Sequence, residues 1–237
     1  MAPWTLAVLL AFPAWLGADD ADRLYANRAV LADARRAVEI WQQRLDADPR
    51  DFQSAWKLAR AAYWLGGHEP TRPARETAFE SGMAAARAAA ALQPSRPEGH
   101  FWLAANMGGL AELKGMRAGL RYRGRIREHL ERVLALDPAF QKGSADRALG
   151  RWYFKVPGLF GGSNRKSEAH LLRALTYHPE SIVTRLFLAE TYDDMDRRDD
   201  ALRLLREIES LPVDPDWEPE DRKFKEQARR LRARLEK

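Results

Sequence analysis

The segment SIVTRLFLAETYDDMDRRDDALRLLREIESLP, residues 181–212, decides the fold class. Its first half places a leucine, a small residue and an aromatic in the order Leu188, Ala189 and Tyr192. Its second half has apolar residues at the three- and four-residue spacing of an amphipathic helix, namely Ala201, Leu202, Leu205 and Ile208. The small residue lets two backbones approach, and the leucine and the aromatic fill the space beside it. The segment therefore predicts a hairpin of two antiparallel helices.

The same order of residues recurs upstream at 58–66, 103–108 and 149–153, with Met107 in place of the aromatic in the second of these. Each predicted unit is closed by a proline, which lacks a backbone N–H and biases the preceding residue away from helical angles. These prolines are Pro49, Pro94, Pro138, Pro179 and Pro212. The pattern is that of a helical-repeat protein.

The prolines lie 45, 44, 41 and 33 residues apart. The last interval is close to the roughly 34 residues of a tetratricopeptide repeat (TPR), whereas the earlier ones are longer. We therefore expect insertions between the two helices of the first three units, at 66–72, 115–119 and 157–163. Such loops would line up on one rim of the array, where functional variation is expected.

The predicted fold class is all-α: tetratricopeptide-like helix-hairpin repeats, an α-solenoid, over residues 19–216. No alternating strand pattern occurs in the sequence. Residues 217–237 carry one apolar stripe, formed by Phe224, Ala228, Leu231 and Leu235. This stripe predicts a C-terminal capping helix that covers the last apolar face of the array.

Residues 1–18 contain no charged side chain, and Trp4 to Leu16 form a nearly unbroken apolar run that ends in Gly17 and Ala18. The run is too short to span a bilayer and is typical of a cleavable signal peptide. An uncleaved anchor is the alternative, because no Lys or Arg precedes the run and Leu16 is bulky for a cleavage site. Either interpretation predicts export, with a periplasmic location.

The composition excludes several classes of function. The sequence has 39 Lys and Arg and 34 Asp and Glu, a net charge of +5. Because the two signs alternate along the predicted helices, we expect no nucleic-acid partner. The absence of cysteine excludes disulfides, thiol catalysis and a lipid anchor on cysteine.

No pattern of catalytic residues occurs, so the sequence predicts a binding scaffold and not an enzyme. The five histidines lack the spacing of metal ligands, and no cofactor motif is present. The glycine-rich stretch 158–167 is not a phosphate loop, because Arg165 stands where that motif has a glycine before Lys166.

The candidate binding residues come from helical phase and from loop position. Leu159 and Phe160 are apolar residues on a predicted loop, which often marks a contact surface. Asn106 is polar within an apolar helix, and either satisfies a neighbouring loop or contacts a ligand. Consecutive aromatics at 152–154 cannot all face one side of a helix, so at least one faces the groove or a loop. The full set is Trp102, Asn106, Arg151, Trp152, Tyr153, Leu159, Phe160, Glu190 and Tyr192.

The stretch LGRWYFKVPGLFGG at 149–162 resembles the T-component (TatT) family of periplasmic TRAP transporters, a divergent tetratricopeptide group. The stretches EGHFWLAANMG at 98–108 and LFLAETY at 186–192 are similar to the same family. The resemblance implies a periplasmic homotrimer that pairs with a solute-binding protein and holds a small apolar ligand. Family members are usually lipoproteins, and this sequence departs from them because it has no cysteine. The alternative is a general periplasmic interaction scaffold unrelated to transport.

Overall fold

The prolines that close the units predict the helix ends correctly. In the computed structural model, which describes residues 18–237, five helices each end two residues before one of these prolines. Their last residues are Ala47, Leu92, Leu136, Tyr177 and Ser210. Two of the five helices that follow these prolines start with a side-chain cap; the side chain of Asp51, for example, accepts a hydrogen bond from the backbone N–H of Ser54 at 3.0 Å.

The described residues contain eleven α-helices and no strand. Their bounds are α1 (Ala18–Ala26), α2 (Leu31–Ala47), α3 (Phe52–His68), α4 (Arg72–Leu92), α5 (Pro97–Lys114), α6 (Met116–Leu136), α7 (Phe140–Lys155), α8 (Asn164–Tyr177), α9 (Ile182–Asp194), α10 (Arg198–Ser210) and α11 (Glu218–Leu235). The pairs α3–α4, α5–α6, α7–α8 and α9–α10 pack as hairpins. The predicted all-α repeat architecture is confirmed. Within residues 18–237 no helix has the length and apolarity that a membrane crossing requires.

The predicted signal peptide at residues 1–18 lies outside the described range except for its last residue. The predicted capping helix is present as α11, whose side chains pack on α9 and α10. Ala228 and Leu235 are buried, and Phe224 and Leu231 are half-buried against the same core.

The prediction of insertion loops is wrong for the first two units. Three residues separate α3 from α4, and Gly115 alone separates α5 from α6. The additional length extends the helices instead: α4 and α6 have 21 residues each, whereas α9 and α10 have 13 each. In the third unit, by contrast, residues 156–163 form the expected loop between α7 and α8.

Small residues at the helix crossings set the spacing of the array. The aromatic ring of Phe79 on α4 lies between Gly66 of α3 and Gly109 of α5, where an added Cβ would come within 2.5 Å of the ring. The predicted small positions Ala59, Ala104 and Ala189 are all buried in the core. The leucine–small–aromatic pattern is therefore a packing signal, as expected.

The hairpins curve so that their first helices face inward. The helices α3, α5, α7 and α9 contact one another in turn, whereas neighbouring second helices barely touch. The first helices therefore line a concave groove, and the second helices form the convex face.

Candidate partner-binding site

An unusually basic segment begins the second helix of the second unit. Residues 113–127 contain six Lys or Arg and no Asp or Glu. Four arginines of α6 form what we call the basic face: Arg117, Arg121, Arg123 and Arg125. None of the four makes an ion pair with any other residue of the described chain, although ion pairs are frequent elsewhere in it. The expectation of interspersed charge is therefore wrong for the first half of this helix.

A cleft of about 420 Å³, the α6 cleft, lies between the basic face and the end of α7. The Nε1 of Trp152 donates a hydrogen bond to the backbone oxygen of Arg123 at 3.0 Å, which ties α7 to α6. The guanidinium of Arg123 lies 5.5 Å from the ring centre of Phe160, and that of Arg127 lies 5.7 Å from the ring of Trp152. The cleft therefore combines aromatic surface with positive charge.

The rim loop, residues 157–163, presents the apolar part of this surface. A short 3₁₀ turn covers Gly158–Phe160, and Gly161 follows with φ +102°, a left-handed conformation that suits glycine. A Cβ on Gly162 would overlap the backbone oxygen of Val156, so only glycine fits at that position. The fixed turn leaves the side chain of Leu159 90% exposed and that of Phe160 38% exposed.

The loop is anchored at its far end by Ser163. Its backbone N–H donates to the carbonyl of Tyr153 at 2.9 Å, and its side chain caps α8 by accepting from the N–H of Lys166. Leu159, Phe160 and Trp152 are thus three predicted site residues that the structure brings together.

Five of the predicted site residues are buried, namely Trp102, Asn106, Trp152, Tyr153 and Tyr192, and the first two lie in the core between α3 and α5. Asn106 is fully buried; its Nδ2 donates to the carbonyl of Ala59 at 3.0 Å and to that of Trp102 at 2.8 Å. Trp102 is 3% exposed and packs against Tyr63, with ring centres 5.9 Å apart. Asn106 links α5 to the backbone of helix α3, and not to a loop as we expected. A ligand-binding role for this pair stays a prediction.

The remaining predicted residues lie along α7 and α9, outside the α6 cleft. Arg151 forms an ion pair with Glu190, and its guanidinium lies 4.3 Å from the ring centre of Phe187. Beside this pair, a second cleft of about 510 Å³ lies between α7, α9 and α11. Its lining contains both acidic and basic side chains, of which Arg234 and Asp193 form an ion pair at 2.5 Å.

Tyr153 and Tyr192 each pack against a polar partner. Tyr153 stacks on His170 with ring centres 5.2 Å apart. Tyr192 lies 4.0 Å beneath the guanidinium of Arg197, and burial, followed by the nearby Glu168, raises the pKa of its phenol. These contacts tie α7 and α9 to the helices that follow them.

Two histidines approach each other between α5 and α6. The Nδ1 atoms of His100 and His129 lie 3.0 Å apart, a hydrogen-bond distance. Burial, followed by the charge of His100, lowers the pKa of His129. Within residues 18–237 no group of three or more metal-ligating side chains comes together.

Comparison with known proteins places this chain among helical-repeat proteins. Residues 18–160, more than half of the chain, match the family described as regulator of microtubule dynamics protein 1-3. A thermophilic TPR protein of Thermus thermophilus, TTC0263, is similar in structure with a TM-score of 0.64 and 22% identity, over 87% of this chain and 97% of that chain. MamA is similar with a TM-score of 0.53 and 16% identity, over 76% of this chain and 90% of that chain.

The human IFIT1 dimer with m7Gppp-AAAA is similar with a TM-score of 0.56 and 20% identity. The match covers 91% of this chain and 44% of that chain, so this chain spans less than half of IFIT1. At such identities the similarity shows a shared TPR-like fold and no more. No curated protein matches the sequence.

Proposed function

This chain belongs to the family described as regulator of microtubule dynamics protein 1-3, and from this premise we propose that it is a protein–protein interaction scaffold that docks an acidic partner on the α6 cleft. A TPR-like array suggests protein–protein interaction, since its stacked hairpins present long rigid surfaces. The observation that carries the proposal is the basic face, four arginines without an ion-pair partner among the described residues, next to Leu159 at 90% exposure.

The chemistry of this surface defines the partner. Planar guanidinium groups bind carboxylates through two parallel hydrogen bonds, so a partner with several Asp or Glu side chains fits the basic face. Phe160 offers an exposed aromatic ring above the mostly buried Trp152, and Leu159 projects beside it. Aromatic and arginine side chains dominate the energetic centres of protein interfaces. The complementary partner therefore presents an apolar side chain flanked by carboxylates.

Two sources of such a partner follow from what is known of similar proteins. The family description names microtubule dynamics, which makes polymerised tubulin one partner to test. The resemblance of residues 149–162 to the T-components of TRAP transporters proposes instead a periplasmic solute-binding protein, with a homotrimeric scaffold and a small apolar ligand. That stretch includes most of the rim loop and so supports a role of the loop in partner contact. Export by residues 1–18 belongs to this second proposal.

Synthetic peptides test the charge requirement directly. We would measure, by fluorescence anisotropy, the binding of labelled peptides that carry one Leu–Phe pair and zero, three or six glutamates. Affinity is expected to rise with each glutamate and to fall with added salt. Arg121→Gln with Arg125→Gln should weaken binding of the six-glutamate peptide by roughly three- to thirtyfold, since exposed ion pairs contribute up to about 1 kcal/mol each.

A matched control removes two arginines from another exposed helix face. Arg222 and Arg230 of α11 pair only with glutamates of their own helix within the described chain, so replacing both with Gln changes the net charge equally but leaves the cleft intact. Equal affinity for the neutral and the acidic peptides, or an equal loss in the control variant, would contradict the proposal. Native mass spectrometry of the chain with a solute-binding protein or with tubulin then separates the two sources.

A further inference from the structure

The concave groove of the array contains an arginine that forms no ion pair with its walls. Arg147 of α7 makes no hydrogen bond or ion pair with another described residue, and desolvation lowers its pKa to about 10. Across the groove, Tyr63 of α3 is 42% exposed, yet burial by the surrounding walls raises the pKa of its phenol to about 12. Tyr63 and then the carboxylate of Asp221 oppose this lowering of the pKa of Arg147, so the guanidinium favours acidic groups nearby.

The chain supplies acidic groups to this groove from a distant segment. Residues 214–221, DPDWEPED, which we call the groove segment, hold five carboxylates in eight residues. Glu220 accepts two hydrogen bonds from Arg28, which lies in the turn between α1 and α2, at 2.7 and 3.0 Å. The same guanidinium donates to the backbone oxygen of Asp216 at 2.8 Å. The side chain of Arg28 is only 6% exposed.

The other end of the groove segment binds the third unit. The Nζ of Lys142 donates to Asp214 at 2.7 Å, and the Nε2 of His178 lies 3.9 Å from the same carboxylate. Lys142 stands in a left-handed turn at the start of α7, with φ +57°. The groove segment therefore bridges the N-terminal turn between α1 and α2 and the third unit by charged contacts.

The groove segment differs from the rest of α11 in what holds it. Beyond it, α11 is fixed by Phe224, Ala228, Leu231 and Leu235, which pack into the core formed by α8 to α10. The groove segment contributes no residue to that core and is held through Arg28 and Lys142. The charged contacts of the segment and the apolar packing of the capping helix are therefore made by different residues.

We propose that the concave groove is a binding site for an acidic peptide, and that the groove segment is its intramolecular occupant. The bonds to Arg28 and Lys142 are made by carboxylates and one backbone carbonyl, which an external acidic peptide also offers. A tethered occupant acts at a millimolar effective concentration, so it masks the groove against weaker external ligands. The apparent affinity for an external peptide equals the affinity of the open groove multiplied by the fraction of molecules in which the groove is open. This site is distinct from the α6 cleft and does not depend on it.

The test uses the full chain and a labelled peptide of residues 212–223, PVDPDWEPEDRK. Glu220→Gln removes the carboxylate that binds Arg28, so the groove opens more often and the peptide should bind about tenfold more tightly than to the wild type. Asp214→Asn weakens the contact with Lys142 and is expected to act in the same direction. It serves as the second variant if Glu220→Gln unfolds the protein.

Glu218→Gln is the matched control, because Glu218 lies in the same segment and pairs only with Arg222 of its own helix in the described chain. It should leave the affinity of the peptide unchanged. The peptide with Gln at the position of Glu220 should bind the opened variants more weakly than the native peptide. Hydrogen exchange of residues 214–221 should accelerate in the Glu220→Gln variant and stay slow in the control.

Three outcomes would overturn the inference: equal peptide affinity for wild type and both opened variants, an equal gain in Glu218→Gln, or loss of binding when Arg121 and Arg125 are replaced. The last result would move the peptide to the α6 cleft and leave the proposed function standing. If the α6 variants lose their acidic partner while the groove results hold, the proposed docking surface and the groove site are confirmed as separate.

Discussion

The packing of Gly82 against Asn106 gives a prediction in which one substitution reverses the effect of another. Gly82 lies in α4 at the crossing with α5, and a Cβ built on it would lie 2.6 Å from Cγ and 2.8 Å from Nδ2 of Asn106. Both distances are well below van der Waals contact, and the Asn106 side chain is fixed by two hydrogen bonds. Gly82→Ala therefore forces this buried amide to move.

The magnitudes follow from the contacts. Gly82→Ala gains about 0.5–1 kcal/mol of helix stability but adds about 1–3 kcal/mol of overpacking, so it should destabilise the wild type by about 0.5–2 kcal/mol. Asn106→Ala loses two hydrogen bonds, at about 0.5–1.5 kcal/mol each, and should cost about 1–3 kcal/mol. Once Asn106 is gone its space is free, so Gly82→Ala should then stabilise by about 0.5–1 kcal/mol. The coupling energy between the two sites is about 1–3 kcal/mol.

Urea unfolding of the four variants, followed by tryptophan fluorescence and far-ultraviolet circular dichroism, measures this cycle. Gly124→Ala is the control, since an added Cβ at this position of α6 meets no atom within 4 Å. It should stabilise slightly and equally in both backgrounds. A Gly82→Ala effect of the same sign and size with and without Asn106 would refute the argument that the amide occupies this space.

Three further predictions concern single positions. His129→Gln should reduce the loss of unfolding free energy between pH 7.5 and 5.5. Because the pKa of His129 is lowered in the folded protein, the folded state favours the neutral ring. Stability that is present above about pH 6.5 is therefore lost on acidification of the wild type. Urea titrations at the two pH values measure this, with a pH-independent difference as the contrary result. Ser163→Ala removes the side-chain bond to the N–H of Lys166 and should lower the unfolding free energy, measured by the same titration, by about 1 kcal/mol. Leu159→Ser should leave the thermal midpoint within about 2 °C of the wild type, since the side chain is almost fully exposed, and a larger drop would place it in a core contact.

The repeat architecture could be predicted from the sequence because proline at these five positions has a single structural effect. It ends a helix, and all five helices stop two residues before it. Glycine, by contrast, occurs both at helix ends and inside helices where two helices pack closely, so the loops predicted from glycine were wrong. Gly66 was expected to start a loop, but it lies inside α3 and makes room for the ring of Phe79. Gly115, with φ +88°, is the residue that interrupts the helix and separates α5 from α6.

The candidate site could be predicted in part. An exposed Leu159 followed from its place on a loop, and the structure confirms the exposure. The basic face was visible as a run of arginines in 117–125, but the near balance of charge over the whole chain concealed it. Asn106 was recognised as unusual, yet its partner lies 47 positions away, and helical phase alone cannot identify a contact at that separation.

The groove segment was beyond prediction for a related reason, since Arg28 and Glu220 are 192 positions apart. They meet because the first helices pack more closely than the second ones, which curves the array until its ends approach. The two contacts that hold the segment differ in their surroundings: Lys142 is about half exposed, whereas the Arg28 side chain is nearly buried. Salt screens the exposed pair first and the buried pair much less. On the proposal above, we expect the segment to detach from the third unit first. Arg28, whose guanidinium lies 5.2 and 5.3 Å from the ring centres of Tyr25 and Trp64, is then the contact that sets how long the groove stays closed.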